Sequence, residues 1–294
     1  MKPIDFHLHR PTTLAEAIAL LAEHGDDAKV LAGGQSLLPL LNFRLARPEH
    51  VVDLGRLTTL RTTRRTTDGL TLGAMVTYAR AEASRAVAED APLLAAALPF
   101  VAHKPVRARG TVGGSIAHGD PAAELPAVIR ALDAVMVAAG PRGVRRIPAA
   151  EFFVGNLVTA LEVDEILTGI DVARPARGTG AAFTEVGRRQ GDFALVGAGA
   201  QVTVADGVVV DVRIALTGIA GVPHRATEAE TLLTGVPPAD LDLDAAADAT
   251  RAVIAPSGDL HATADYRRDV AGVLLGRVVA TAVERATGHA HRAA

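Results

Sequence analysis

The chain has 294 residues, 49% of them hydrophobic and 21% charged, with a formal net charge of −3. That length accommodates two or three subdomains around a sizeable core, while the slight acidity excludes the basic surplus of a nucleic-acid binder and an aromatic content of 3% without Trp excludes a stacking platform for single strands. With no Cys, the chain alone holds no thiolate iron–sulfur cluster, Cys-based zinc site, disulfide or cysteine nucleophile, so redox chemistry here needs an organic cofactor or a His/carboxylate metal.

In chain order, Met1 to Thr13 lacks the apolar core of a signal peptide. Leu14 to His24 reads as an amphipathic helix capped by Thr12 or Thr13, with Glu16 in its first turn and Gly25 past its end. Lys29 to Ala32 is a short buried strand running into Gly33-Gly34, Ser36 to Leu45 a helix with Pro39 near its start, and Val51 to Leu54 a second strand. Leu60 to Gly73 alternates around Asp68-Gly69 as a hairpin. Tyr78 to Val101 is a helical stretch broken at Pro92 and Pro99, and its apolar run from Pro92 to Ala102 is far too short to span a membrane. Gly110 to Ile116 is a Gly-rich turn. Pro121 to Leu132 is a helix, with Asp120 as N-cap and Pro121 at the first helical position. Asp133 to Arg146 is a hairpin, Leu161 to Asp171 a strand, and Arg174 to Gly180 the best linker. Strands follow at Ala181 to Val186, Ala198 to Ala205 and Val208 to Leu216, the last two joined by Asp206-Gly207. Helices at Glu228 to Leu233, Ala245 to Ala255 and Tyr266 to Ala286 complete the chain.

Two turns are near duplicates: Ala32-Gly33-Gly34-Gln35-Ser36 and Thr111-Val112-Gly113-Gly114-Ser115. Paired glycines let successive N–H groups converge and let backbone approach a ligand closely, and Ser adds a hydroxyl. Either turn alone reads more readily as an ordinary tight turn; as a pair they suit a dinucleotide pyrophosphate as well as two such turns. Neither is a standard nucleotide motif. No G-x-x-x-x-G-K-[ST] occurs, and Gly197-Ala-Gly199 opens a strand and ends in Val202, so it is no Rossmann fingerprint. No G-x-S-x-G supports a serine hydrolase. Glu124 projects from the first turn of the helix after Asp120, beside the proposed anion site, where it can accept hydrogen bonds from ribose or ribityl hydroxyls. Asp5-x-His7-x-His9 resembles the start of a metal-dependent hydrolase. His24, His50, His103, His118, His224, His261, His289 and His291 do not follow strands as that chemistry requires, so no residue is assigned to metal.

Four ordered segments carry a resemblance: AGGQSLLPLLNFRLARPEHVVDL from Ala32, RGTVGGSIAHGDPAAELPAV from Arg109, RRQGDFALVGA from Arg188 and DYRRDVAGVLLGRVV from Asp265. In them the chain resembles, over nearly its whole length, the FAD subunits of molybdenum hydroxylases, the family of carbon monoxide dehydrogenase medium subunits and xanthine dehydrogenase flavin domains. The resemblance implies an α+β fold: a two-lobed FAD-binding domain of the vanillyl-alcohol-oxidase-like type, with lobes at 1–56 and 57–176, then a smaller α+β domain at 177–294 covering the flavin. It implies non-covalent FAD held by Ala32, Gly33, Gly34, Gln35, Ser36, Thr111, Val112, Gly113, Gly114 and Ser115, with Asp120, Glu124, Leu167, Asp192 and Phe193 also at the cofactor. It also implies that no residue here is catalytic. A partner large subunit would carry the molybdenum cofactor and a small subunit 2Fe–2S clusters, assembled as a dimer of heterotrimers in the cytoplasm, without nucleic acid or an integral membrane segment.

The chain departs from the family at two points. The segment Phe183-Thr184-Glu185-Val186 lacks the Lys that some members place before the Arg-Arg pair, and Phe193 stands where the carbon monoxide enzymes have Tyr. The surface around Phe183 to Phe193 is read equally as partner contact or as core. Two other readings remain open at this point: a stand-alone flavoprotein oxidase, and a metal-dependent hydrolase built on Asp5, His7 and His9.

Overall fold

The structure is a computed structural model and describes residues 2–288. It opens with a small parallel sheet: β1 (His7–His9), β2 (Ala28–Leu31) and β3 (His50–Asp53), in the order β1-β3-β2. Helix α1 (Leu14–His24) links β1 to β2. It starts where the sequence predicts because extended Thr13 accepts the Glu16 N–H on its hydroxyl at 3.2 Å, and it stops at Gly25 with φ of 51°. Its apolar stripe buries Ala17 and Leu21 against Val52, Leu54, Leu57, Leu60, Met75 and Ile166, a core shared with the next part of the chain. Each large side chain of this kind stabilises by about 1.5–3 kcal/mol when fully buried. The second helix, α2 (Leu37–Asn42), is shorter than the predicted Ser36 to Leu45, and Arg44 just beyond it sits at φ of 58°.

A five-stranded antiparallel sheet follows, ordered β4-β5-β10-β6-β7. Its first hairpin is β4 (Thr63–Arg65) and β5 (Gly69–Gly73). The helical stretch then breaks into α3 (Tyr78–Glu82), α4 (Arg85–Asp90) and α5 (Pro92–Ala97), divided at Ser84 as well as before Pro92. Next come α6 (Lys104–Arg107), α7 (Val112–His118) and α8 (Glu124–Ala131). The hairpin β6 (Val135–Gly140) and β7 (Gly143–Pro148) leads through α9 (Ala149–Phe152) and the small ribbon β8 (Phe153–Gly155) and β9 (Val158–Thr159) to β10 (Ile166–Ala173).

Two expectations are corrected here. The second glycine segment is the first turn of α7 rather than a free turn. Helix α8 begins at Glu124 with Ala123 as its N-cap. Asp120 caps a local turn instead, accepting the Ala122 N–H at 2.8 Å. The cause is distant in sequence. The Thr217 hydroxyl lies 2.6 and 2.8 Å from the carbonyls of Pro121 and Ala123, and the Gly218 N–H donates to Pro121, which holds 121–123 outside the helix.

The last region is a four-stranded antiparallel sheet of β11 (Thr179–Val186), β12 (Val196–Ala205), β13 (Val208–Thr217) and β14 (His224–Arg225). Helices α10 (Thr227–Leu233), α11 (Leu243–Val253) and α12 (Ala264–Ala286) cover it. Leu274, Leu275, Val278 and Val279 of α12 enter its core with Val196, Val202 and Ile214. Its other face joins the second region, since Phe183 and Ala215 belong to the core that includes Leu93, Leu94 and Leu125. Arg267, in the fourth matching segment, is buried. Its guanidinium donates to the carbonyls of Leu195 and Gly218 and to Asp259, so α12 anchors the start of β12 and the end of β13.

Candidate functional site

The two glycine segments, about eighty residues apart in sequence, meet in space. A Cβ on Gly33 would lie 2.3 Å from the Arg109 carbonyl oxygen and 2.7 Å from the Gly110 Cα, and a Cβ on Gly114 would lie 3.3 Å from that of Ala32. Glycine is required at position 33 because backbone from the other segment occupies the space a side chain would take.

The first segment follows β2 and leads into α2. Gly34 adopts φ of 74°, and the Gln35 amide donates to the Gly33 carbonyl at 3.1 Å. Among the described residues, none accepts the N–H groups of Gly33, Gly34, Gln35 and Ser36. Ser36 stands at the N-cap of α2 without making a side-chain cap. Four consecutive amides are thus available to an anion. In the second segment the corresponding groups are engaged. Val112 N–H donates to Val76 and Gly113 N–H to Ala74, both at 2.9 Å. Gly114 N–H donates to the Thr111 hydroxyl at 3.1 Å, and Ser115 N–H to the Thr111 carbonyl.

Beside these segments lies a set of buried polar side chains. Burial pushes the Glu124 carboxyl up to about 7, and the nearby Asp120 charge adds to it. Glu185 on β11 is pushed up to about 8 by burial and then by Glu124, and its Oε2 is buried without a hydrogen-bond partner. Tyr78 is buried with its ring against Gly110, and its hydroxyl, beside Ser115, is raised to about 12, chiefly by burial. Sequence reasoning passed over Tyr78 and Glu185. The first reads as an ordinary helix start and the second as an ordinary strand position.

The other expected positions are dispersed. Leu167 is buried in the main core at a β-bulge of β10. Asp192 and Phe193 are exposed, in the loop after β11. That loop packs on the second region through Gly191, whose φ of 83° brings it against the His103 imidazole. The stretch from Phe183 to Phe193 divides: Phe183 is core, packed edge-on to Phe100, and Phe193 is 59% exposed. The cleft lined by Asp133, Arg213, Arg225 and Glu230 is occupied by its own ion pairs.

The N-terminal histidines are also rearranged relative to expectation. His9 is joined by His24 and His50, neither of which follows a predicted strand in the sequence. Asp5 and His7 are not part of that triad, and His289 and His291 lie outside the described residues.

The site fits a dinucleotide cofactor on its own chemistry. It offers free amides for a pyrophosphate, a glycine that admits backbone approach, and two carboxyl groups facing no partner cation. The family described as the FAD binding domain in molybdopterin dehydrogenase matches residues 4–175, and that of the CO dehydrogenase flavoprotein C-terminal domain matches residues 181–282. The chain is 39% identical to the 6-hydroxypseudooxynicotine dehydrogenase complex subunit alpha of Paenarthrobacter nicotinovorans, over 97% of each chain. It is 41% identical to the caffeine dehydrogenase subunit beta of Pseudomonas sp. strain CBB1, again over 97% of each. Among solved structures, that of the carbon monoxide dehydrogenase from Hydrogenophaga pseudoflava lacking the Mo-pyranopterin moiety superposes with a TM-score of 0.94 at 41% identity, covering 97% of this chain and 99% of that one.

Proposed function

The chain belongs to the FAD-binding medium subunits of the molybdenum hydroxylases, and from that premise we propose how its residues serve the cofactor and its partners. It is an oxidoreductase subunit that carries electrons from iron–sulfur clusters on a partner chain, by way of FAD, to an external acceptor. When bound, FAD supplies the match between single-electron carriers and a two-electron acceptor.

The observation that carries the assignment of residues is the meeting of the two glycine segments. Gly33, Gly34, Gln35 and Ser36 offer their amides to the pyrophosphate, with Ala32 in contact behind them. Thr111, Val112, Gly113, Gly114 and Ser115 form the wall they close against, and Ser115 offers its hydroxyl. Asp120 shapes the turn that delivers Glu124. Glu124 and Glu185, protonated below about 7 and 8, hold hydrogens toward the flavin side of the cleft. Leu167 stiffens the β10 floor, and Asp192 and Phe193 lie on the loop facing outward, where an exposed aromatic suits a flavin ring.

The finer fold assignment is a two-lobed FAD domain of the vanillyl-alcohol-oxidase-like type at 1–56 and 57–176, covered by 177–294. The parallel three-stranded unit beside the five-stranded sheet supports it. Among the described residues, the stretch after β10 is taken up by one sheet and its covering helices, with no separate substrate cap, which speaks against a stand-alone oxidase. The relatives' names as dehydrogenase subunits support partner chains, and the partners in this proposal are a large molybdenum-bearing subunit and a small 2Fe–2S subunit, arranged as a dimer of heterotrimers. Relatives named for a nicotine derivative, for caffeine and for carbon monoxide are nearly equally similar, so likeness selects no substrate. Among the described residues no helix is long and apolar enough to cross a membrane, and a cytoplasmic location goes with the proposal. A hydrolase built on Asp5, His7 and His9 loses its support, because the imidazoles close enough to share an ion are His9, His24 and His50, a set without Asp5 or His7.

The test is spectroscopic. The purified chain is expected to show a flavin spectrum at one FAD per chain, and acid precipitation is expected to leave the flavin in the supernatant. A colourless chain that takes up no FAD on titration rejects the reading, and yellow colour in the pellet rejects non-covalent binding.

A further inference from the structure

We propose that His9, His24 and His50 form a binding site for one divalent transition-metal ion of the zinc class, separate from the flavin cleft. The backbone assembles the set. His7 and His9 share one face of β1, because side chains alternate along a strand. The parallel register sets His50 of β3 opposite His7. Helix α1 ends on His24, which places a third imidazole over the same corner. The ligating nitrogens of His9, His24 and His50 all lie within 4.8 Å of one another, and His9 Nε2 is 2.9 Å from His50 Nδ1. All three residues are half-buried, enough to fix the rings and still admit water as a fourth ligand.

Tetrahedral zinc at its usual distance from imidazole holds neighbouring nitrogens about 3.3 Å apart. The His9–His50 pair therefore needs to open only slightly. His24 needs more. It stacks on His50 with ring centroids 3.6 Å apart and planes 5° apart, so their in-plane lone pairs run parallel. One ring must swing about its side-chain torsions before both aim at a common point, which predicts a site of moderate rather than picomolar affinity. An all-imidazole set suits Zn2+, Cu2+ or Ni2+ and is wrong for Mg2+ or Ca2+, which take oxygen ligands. The His9 imidazole is held below its ordinary range by burial and then by its histidine neighbours, against a smaller pull from Glu23. The neutral form is the one that binds metal.

The location separates this site from the cofactor. His50 pairs with Ala28 at the start of β2, and the Ala32 segment leaves the other end of that strand, about 13 Å further on at strand rise. An ion here would tie the end of α1 to β1 and β3.

The experiment uses the full chain with FAD bound and no affinity tag, stripped of metal by a chelator and titrated with ZnCl2 by calorimetry at neutral pH. His289 and His291 are replaced by Gln in every sample, so that only the proposed site is read. One ion per chain with a dissociation constant in the micromolar range is expected. His24→Gln is expected to weaken it roughly tenfold or more, the scale seen for perturbed metal sites, and His9→Gln with His50→Gln to abolish it, FAD content staying constant in each. X-ray absorption on the zinc-loaded chain is expected to count three imidazole ligands. No zinc uptake by the starting chain overturns the proposal. So does uptake unchanged in His24→Gln, the variant at a helix end that folding tolerates best, or a zinc shell with fewer than two imidazoles.

Discussion

The two glycine segments read almost alike in sequence and are built for opposite tasks. In Gly33 to Ser36 four amides face no acceptor among the described residues, and the residues are half-buried. In Val112 to Ser115 every amide is engaged, Val112 and Gly113 are fully buried, and Thr111 caps the helix. One segment presents donors and the other is rigid wall. A shared pattern of glycine and serine fixes what the backbone is permitted to do, whereas the partners available in the fold decide what it does.

The contrast can be broken most directly at Gly33. Gly33→Val forces branched carbon into the Arg109 carbonyl, and FAD affinity measured by fluorescence titration is expected to fall roughly a hundredfold or more, equivalent to about 3 kcal/mol. The circular dichroism spectrum is expected to stay folded, at a lowered melting temperature, because the branched carbon meets backbone of the same chain. Wild-type FAD content in that variant would falsify the role given to the first segment.

Gly113→Ala probes the wall. Its Cβ would meet the Ala74 Cβ at 2.4 Å and Cα at 2.6 Å, an overpacking that costs about 1–3 kcal/mol. The melting temperature is expected to fall by several degrees with FAD present or absent, and the folded fraction to bind FAD better than Gly33→Val does. If instead Gly113→Ala loses FAD as completely as Gly33→Val at unchanged stability, the division of labour is wrong.

The carboxyl pair Glu124 and Glu185 gives a smaller effect that depends on pH. Glu185 is raised from 4.5 to about 8 in the folded chain. Its contribution to stability is therefore fully present below about 4.5 and is lost as pH rises through about 8, where a buried charge must form. In the flavin-stripped protein, Glu185→Gln is expected to flatten the fall in melting temperature between weakly acid and alkaline pH. Parallel curves for both proteins count against a buried neutral carboxyl.

Thr111→Val should do least. It removes one N-cap acceptor, worth about 1 kcal/mol, and lowers the melting temperature by a few degrees. An equal drop from Ser36→Ala, whose hydroxyl caps nothing, would erase the distinction drawn between the two helix starts.

What could be read beforehand follows the range of the forces involved. Helix α1 was legible to its ends because Thr13, the apolar stripe and Gly25 all act within one helix length. The start of α8 was not. Asp120-Pro121 is a sound local signal, but Thr217 and Gly218, more than ninety residues on, hold that stretch in another shape. The glycine segments were visible as candidates, and their unequal hydrogen bonding was not, since Ala74 and Val76 carry no mark of being acceptors. His24 and His50 look unremarkable until a helix end and a strand start are brought to one corner.

The guanidinium of Arg267 bears on the order in which the molecule is made. The carbonyl of Leu195, two residues past Phe193, waits for a partner 72 positions downstream, and that of Gly218 for one 49 positions downstream. Both glycine segments and all of the second sheet have left the ribosome long before residue 267 is translated. During synthesis the cradle is therefore complete while the loop bearing Phe193 still lacks its anchor. A nascent chain arrested ahead of α12 is expected to leave the loop bearing Phe193 unfastened, and α12 supplies the fastening once it is made.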